Sequence, residues 1–127
     1  MAATGNTYFI RAGDFRAALL EDRLTVLPRQ NFRRLLRLAR TEPENRSALD
    51  AMGADIRRRT AEAETAMDAA AWDYKANWKY VARPRSRRPE IAEITKENRR
   101  LQTAVRNAKG HYANWVSIQT IFEKECS

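Results

Sequence analysis

Residues 91–122 read IAEITKENRRLQTAVRNAKGHYANWVSIQTIF, and the spacing within them decides the fold. Ile91, Ile94, Asn98, Leu101, Val105, Ala108, Tyr112, Trp115, Gln119 and Phe122 follow one another in steps of three and four. Those steps put them on a single helical stripe, at the a and d positions of consecutive heptads. A narrow apolar stripe of that length is poorly solvated and has to pack lengthwise against another helix. The chain is therefore expected to be built for helix-on-helix association. Asn98 is the polar exception in the seam, and such a residue fixes register at some cost in stability.

Working outward, the seam finds a partner of matching length upstream. A helical pattern runs from about Pro43 to Ala82, with Leu49, Met52, Ile56, Ala63, Met67, Ala70, Tyr74, Trp78 and Val81 as its apolar positions. Thr41 and Glu44 match a capping box, and Pro43 suits a first turn. Gly53 weakens this helix locally by about 1 kcal/mol relative to Ala. Between the two long segments stands Arg83-Pro84-Arg85-Ser86-Arg87-Arg88-Pro89, which cannot remain helical throughout. The second segment is expected to open at Pro89 and run to about Glu123, with Gly110-His111 as a potential break. Two long helices of similar length and a short connector predict an antiparallel hairpin.

Ahead of the hairpin the pattern is shorter. Residues 1–13 form an arm containing Thr7-Tyr8-Phe9-Ile10, and Asp14 offers an N-cap for a helix over Asp14–Leu24. Pro28 suits the first turn of a second helix with Phe32, Leu35, Leu36 and Ala39 on its buried face. The fold class predicted is all-α: a short helical N-terminal head over residues 1–41, packed on a long, coiled-coil-like antiparallel hairpin over residues 42–127, with a basic Pro/Arg turn at 83–89. Four Gly and four Pro in 127 residues supply few turns for a strand-based fold.

Net charge is +8, and its distribution is uneven. Residues 1–40 carry eight basic and three acidic side chains, residues 41–82 six and eight, and residues 83–127 ten and five. Two positive ends flank a nearly balanced middle, which favours nucleic acid or an acidic protein surface as partner. Arg29, Arg33, Arg34, Arg37 and Arg40 lie in a stretch, 28–40, with no acid. Arginine holds phosphate through a planar fork and stays charged. Arg29, Arg33 and Arg37 are expected on the face away from Phe32, Leu36 and Ala39, carrying binding rather than stability. Trp72, Lys75, Lys79 and Arg83 share a second face, where Trp72 can stack on an unpaired base or anchor a partner. Trp78 and Tyr74 are expected in the core. Arg83, Arg85, Arg87 and Arg88 complete the basic set at the connector. A solvated charged surface accounts for the same residues without any partner.

Chemistry finds no constellation. His111 is the single histidine and Cys126 the single cysteine, so neither a His-rich metal site nor an intramolecular disulfide is available. Glu62, Glu64 and Asp68 lie close on one helix, as solvated carboxylates usually do. No catalytic residue, metal, cofactor or small-molecule substrate is expected. No apolar run approaches the ~20 residues that span a bilayer, and Met1-Ala2-Ala3-Thr4-Gly5-Asn6 shows no basic stretch followed by an apolar one, so no signal sequence is expected. A cytoplasmic or virion location is expected. The function expected is a non-catalytic helical interaction protein that docks on nucleic acid or a nucleoprotein through arginine-rich faces. An accessory or regulatory protein of a mobile element or virus fits this size and composition. The alternative is a structural subunit held in a symmetric or multicomponent assembly by helix packing, with a protein partner or a second copy against the seam.

Overall fold

The computed structural model describes residues 23–81 and 88–126, and among them every regular element is helical. A 3₁₀ turn at Arg23–Thr25 leads into helix α1, Arg29–Arg40. A second 3₁₀ turn, Pro43–Asn45, leads into helix α2, Arg46–Asn77, and helix α3 spans Pro89–Cys126. The protein is all-α, and the two long helices pack as an antiparallel hairpin. None of the described helices is long and apolar enough to cross a membrane. The arm at 1–13, the helix expected over 14–24 (Arg23 and Leu24 apart) and Arg83, Arg85 and Arg87 of the connector lie outside the described residues.

Local chemistry departs from expectation at three junctions. Pro28 is the residue before α1 rather than part of its first turn, and its carbonyl accepts the Phe32 N–H at 3.0 Å. The Thr41–Glu44 capping box does not form. The Thr41 hydroxyl instead donates back to the Leu38 carbonyl at 2.7 Å, and Asn45 Nδ2 donates to the Ala39 carbonyl at 2.9 Å. Both close the open C-terminal carbonyls of α1, which compete for the same polar side chains. Finally, α2 stops at Asn77, five residues short of Ala82. Asn77 Nδ2 turns back onto the Asp73 carbonyl at 3.1 Å, and Trp78 N–H makes the last helical bond, to Tyr74. Gly110 breaks nothing, because α3 runs straight through it.

The described residues up to Ala61 and those from Asn114 form one compact unit, and Glu62–Ala113 forms the second. The first unit holds a dense core. Phe32, Leu35, Leu36 and Ala39 of α1 are buried, as the spacing predicts, with Leu24 beside them. They share this unit with Leu49, Met52 and Ile56 of α2 and Trp115, Ile118, Ile121 and Phe122 of α3, all buried. Each fully buried side chain of this size contributes roughly 1.5–3 kcal/mol of transfer free energy. Gly53 stands against the Phe122 ring, and the Thr60 hydroxyl, hydrogen-bonded to the Ile56 carbonyl at 2.8 Å, lies 3.4 Å from the Trp115 carbonyl. Rising numbers on α2 therefore meet falling numbers on α3. The Arg59 guanidinium sits 5.8 Å from the centre of the Trp115 ring, an attraction worth about 0.5–2 kcal/mol.

The second unit is the two-helix hairpin alone. Here Asp73 meets Arg100, with their nearest N and O atoms 3.8 Å apart, and Lys79 meets Asn98, again antiparallel. Of its described apolar residues only Ala63 and Leu101 are buried. Met67, Ala70, Tyr74, Ile91, Ile94, Val105, Ala108 and Tyr112 are half-buried. The seam thus faces inward, but two helices cover it only in part.

Candidate nucleic-acid interface

Of the arginines expected away from the buried stripe of α1, Arg37 does lie on the far side, with its side chain 61% exposed, whereas Arg29 and Arg33 do not. At 100° per residue Arg29, Arg33 and Arg40 flank the buried stripe rather than oppose it, and two of them reach α3. Arg29 donates from Nε to Ser117 Oγ at 3.0 Å and from Nη2 to Asn114 Oδ1 at 3.1 Å. Its Nη1 takes the Leu24 and Leu27 carbonyls at 3.2 and 3.1 Å. Arg37 makes a two-pronged pair with Glu125, Nε to Oε2 at 2.8 Å and Nη2 to Oε1 at 3.0 Å. The Arg37 fork holds the Glu125 carboxyl below the usual carboxylate range, and the same contact pushes the Arg37 guanidinium up. Arg40 donates to the Glu125 backbone oxygen. Arg29 and Arg37 therefore also link α1 to α3. The neutralising acid comes from α3, far away in sequence, which is why the acid-free stretch 28–40 looked unpaired. Arg33 is half-buried without a hydrogen bond or ion pair among the described residues, and Arg34 is exposed.

These links also bear on the end of the chain. Here α3 stays helical through Cys126, with Glu125 only 5% exposed. Burial pushes the Cys126 thiol up from its ordinary value, so it is a poor thiolate and a poor nucleophile.

The other basic residues lie in the second unit, toward the connector. Trp72 is 72% exposed on α2, and Lys75, one turn on, is exposed as well. Beyond the helix end Trp78 is 40% and Tyr80 79% exposed, so Trp78 is not the core residue its spacing suggested. The reason is the early stop of α2: after Asn77 the backbone leaves helical geometry, and the 3.6-residue period no longer sets direction. Trp78 keeps a tilted contact with Tyr74, ring centres 6.2 Å apart. Lys79 is exposed, and its backbone is fixed from both sides. Asn98 Nδ2 donates to the Lys79 carbonyl, and Asn98 Oδ1 accepts the Lys79 N–H at 3.0 Å. Asn98 thus clamps the chain where α2 ends instead of pairing inside the seam. Arg88 stands exposed at the start of α3.

One basic surface escaped the reading of the sequence. No acid occurs between Glu97 and Glu123, and Arg99, Arg100, Arg106 and Lys109 fall in that interval, all exposed. The absence of acid over so long a stretch was a visible signal. The apolar seam runs through the same residues, so two periodic signals overlap there. Arg100 spends itself locally, gripping Glu97 at 2.5–3.0 Å and lowering that carboxyl. Among the described residues no cluster of three or more His, Cys, Asp or Glu side chains is placed to hold a metal ion. Comparison with known proteins found no matching family, no matching characterised protein and no matching solved structure.

Proposed function

We propose that the chain is a non-catalytic helical interaction protein that docks on nucleic acid through the connector end of its hairpin. The observation that carries this reading is the exposure of Trp72 and Tyr80 beside the exposed amines of Lys75 and Lys79. Exposed aromatic rings beside amines offer faces on which bases stack. The lysines and Arg88 supply the phosphate contacts, reinforced in sequence by Arg83, Arg85 and Arg87. Arg33 and Arg34 of α1 are secondary contributors. Arg29, Arg37 and Arg40 hold the head together.

Fluorescence anisotropy with labelled single-stranded and duplex oligonucleotides tests this across a salt series. Binding is expected to weaken steeply with salt. Replacing Lys75, Lys79 and Arg88 by Gln should lower affinity and make log K against log salt shallower by about 0.7–0.9 per lost contact. Trp72→Ala should cost affinity for the single strand without altering that slope, at about 1–3 kcal/mol per stacked base. Arg57→Gln, on an exposed part of α2 in the other unit, is the control. The reading fails when neither oligonucleotide binds at low salt, or when the control matters as much as the triple change.

A further inference from the structure

We infer that a second copy of this chain packs against the Glu62–Ala113 hairpin, joining the acidic flank of one α2 to the basic flank of the other α3. The starting point is incomplete burial. Two helices leave Met67, Tyr74, Val105 and Tyr112 half-buried, and a pair of helices rarely hides enough apolar surface by itself. A helical neighbour is the natural cover.

The charges say which neighbour. Between Arg59 and Lys75, α2 carries Glu62, Glu64, Asp68 and Asp73 and no base. Between Glu97 and Glu123, α3 carries only bases. The Asp73–Arg100 pair marks one side of the hairpin. By the 3.6-residue period, Glu64 and Asp68 lie on the opposite side of α2 from Asp73, and Arg106 and Lys109 lie on the opposite side of α3 from Arg100. These four charges therefore share the other side of the hairpin. All are exposed, and none makes an ion pair among the described residues.

Height matches as well as sign. Counting from the Asp73–Arg100 contact along antiparallel helices, Asp68 stands level with Val105 and Arg106, and Glu64 level with Lys109. A two-fold axis parallel to the helices, set against this side, lays α2 of one copy on α3 of the other at unchanged height. Asp68 then meets the second copy's Arg106, Glu64 meets its Lys109, and symmetry makes both contacts twice. All neighbouring helices in that four-helix arrangement are antiparallel. Both connector ends fall at one end of the assembly, so the surface proposed above for nucleic acid is doubled rather than hidden.

Sedimentation of the full chain over a wide range of concentration and salt is the test. The wild type should shift from one chain mass to two as concentration rises, and salt should weaken the shift. Two charge-reversed variants, Glu64→Lys with Asp68→Lys and Arg106→Glu with Lys109→Glu, should each stay monomeric where the wild type is dimeric. Both should keep a helical circular-dichroism spectrum, because all four sites are exposed. Mixed in equal amounts, the two variants should recover a species of two chain masses. The inference is overturned if the wild type is monomeric throughout, or if the mixture fails to associate while each variant remains helical. It is also overturned if the wild type is monomeric and the Arg106/Lys109 variant loses only oligonucleotide binding, which assigns that flank to nucleic acid.

Discussion

Two glycines inside long helices look alike in the sequence and differ in their surroundings. Gly53 is buried, and a Cβ built there would come within 2.6 Å of Phe122 Cε1. Phe122 is itself 7% exposed in the core, so its ring has little room to retreat. Gly53→Ala gains about 1 kcal/mol of helix propensity, but overpacking a core costs typically about 1–3 kcal/mol. Net destabilisation is the expected outcome. Gly110 is exposed, and nothing lies within 4 Å of a Cβ built on it. Gly110→Ala should therefore stabilise the protein by up to about 1 kcal/mol, the propensity difference alone. Denaturant melts of the two variants check both signs. Equal shifts in the same direction would show that the Phe122 ring does not set the space at Gly53.

Between elements, the attachment of α1 to α3 is electrostatic as well as apolar, and that gives it a pH signature. The Glu125 carboxyl is held low by the hydrogen-bonding fork of Arg37. Its folded pKa lies below its unfolded one, so the pair's contribution is complete above the ordinary carboxylate value of about 4.3 and drains away as pH falls through and below it. Melting temperature should decline over that acid window, and Glu125→Gln should flatten the decline while lowering the neutral-pH value. Glu97, held by Arg100, titrates in the same direction, but its side chain is 49% exposed against 6% for Glu125. Added salt should erase more of the Glu97 share. The pair also shows what the sequence could and could not convey about the fold and the interface. Helical period revealed the hairpin and the buried face of α1, because the apolar stripes that carry them recur every three and four residues. It could not reveal that Glu125 answers Arg37, 88 residues apart in sequence, nor that Asn114 and Ser117 hold Arg29. It also misjudged Trp78, since a periodic reading assumes the helix continues, and Asn77 ends it.

Across the whole molecule, burial is unequal in a way that predicts unequal stability. The unit containing α1 gathers Phe32, Leu36, Met52, Ile56, Trp115 and Ile118, each exposed by 1% or less. The Glu62–Ala113 unit buries only Ala63 and Leu101 of its described apolar residues. Opening free energy follows buried apolar contact, so the two should not exchange their amide hydrogens at one rate. Amides of Met52–Thr60 and Trp115–Phe122 should be protected longest, and those of Met67–Asn77 and Ile94–Val105 should exchange orders of magnitude faster in dilute protein. Concentration supplies the second half of the prediction. A second copy that binds only the closed hairpin stabilises it by mass action, so protection of Met67–Asn77 and Ile94–Val105 should rise with protein concentration. Protection near Trp115 should change little, because its opening already requires disrupting the dense core. Hydrogen exchange read by mass spectrometry at low and high concentration makes the comparison. Uniform protection in dilute protein would mean that the sparse hairpin core suffices alone. A concentration effect centred on Trp115 rather than on Tyr74 would place the association on the first unit.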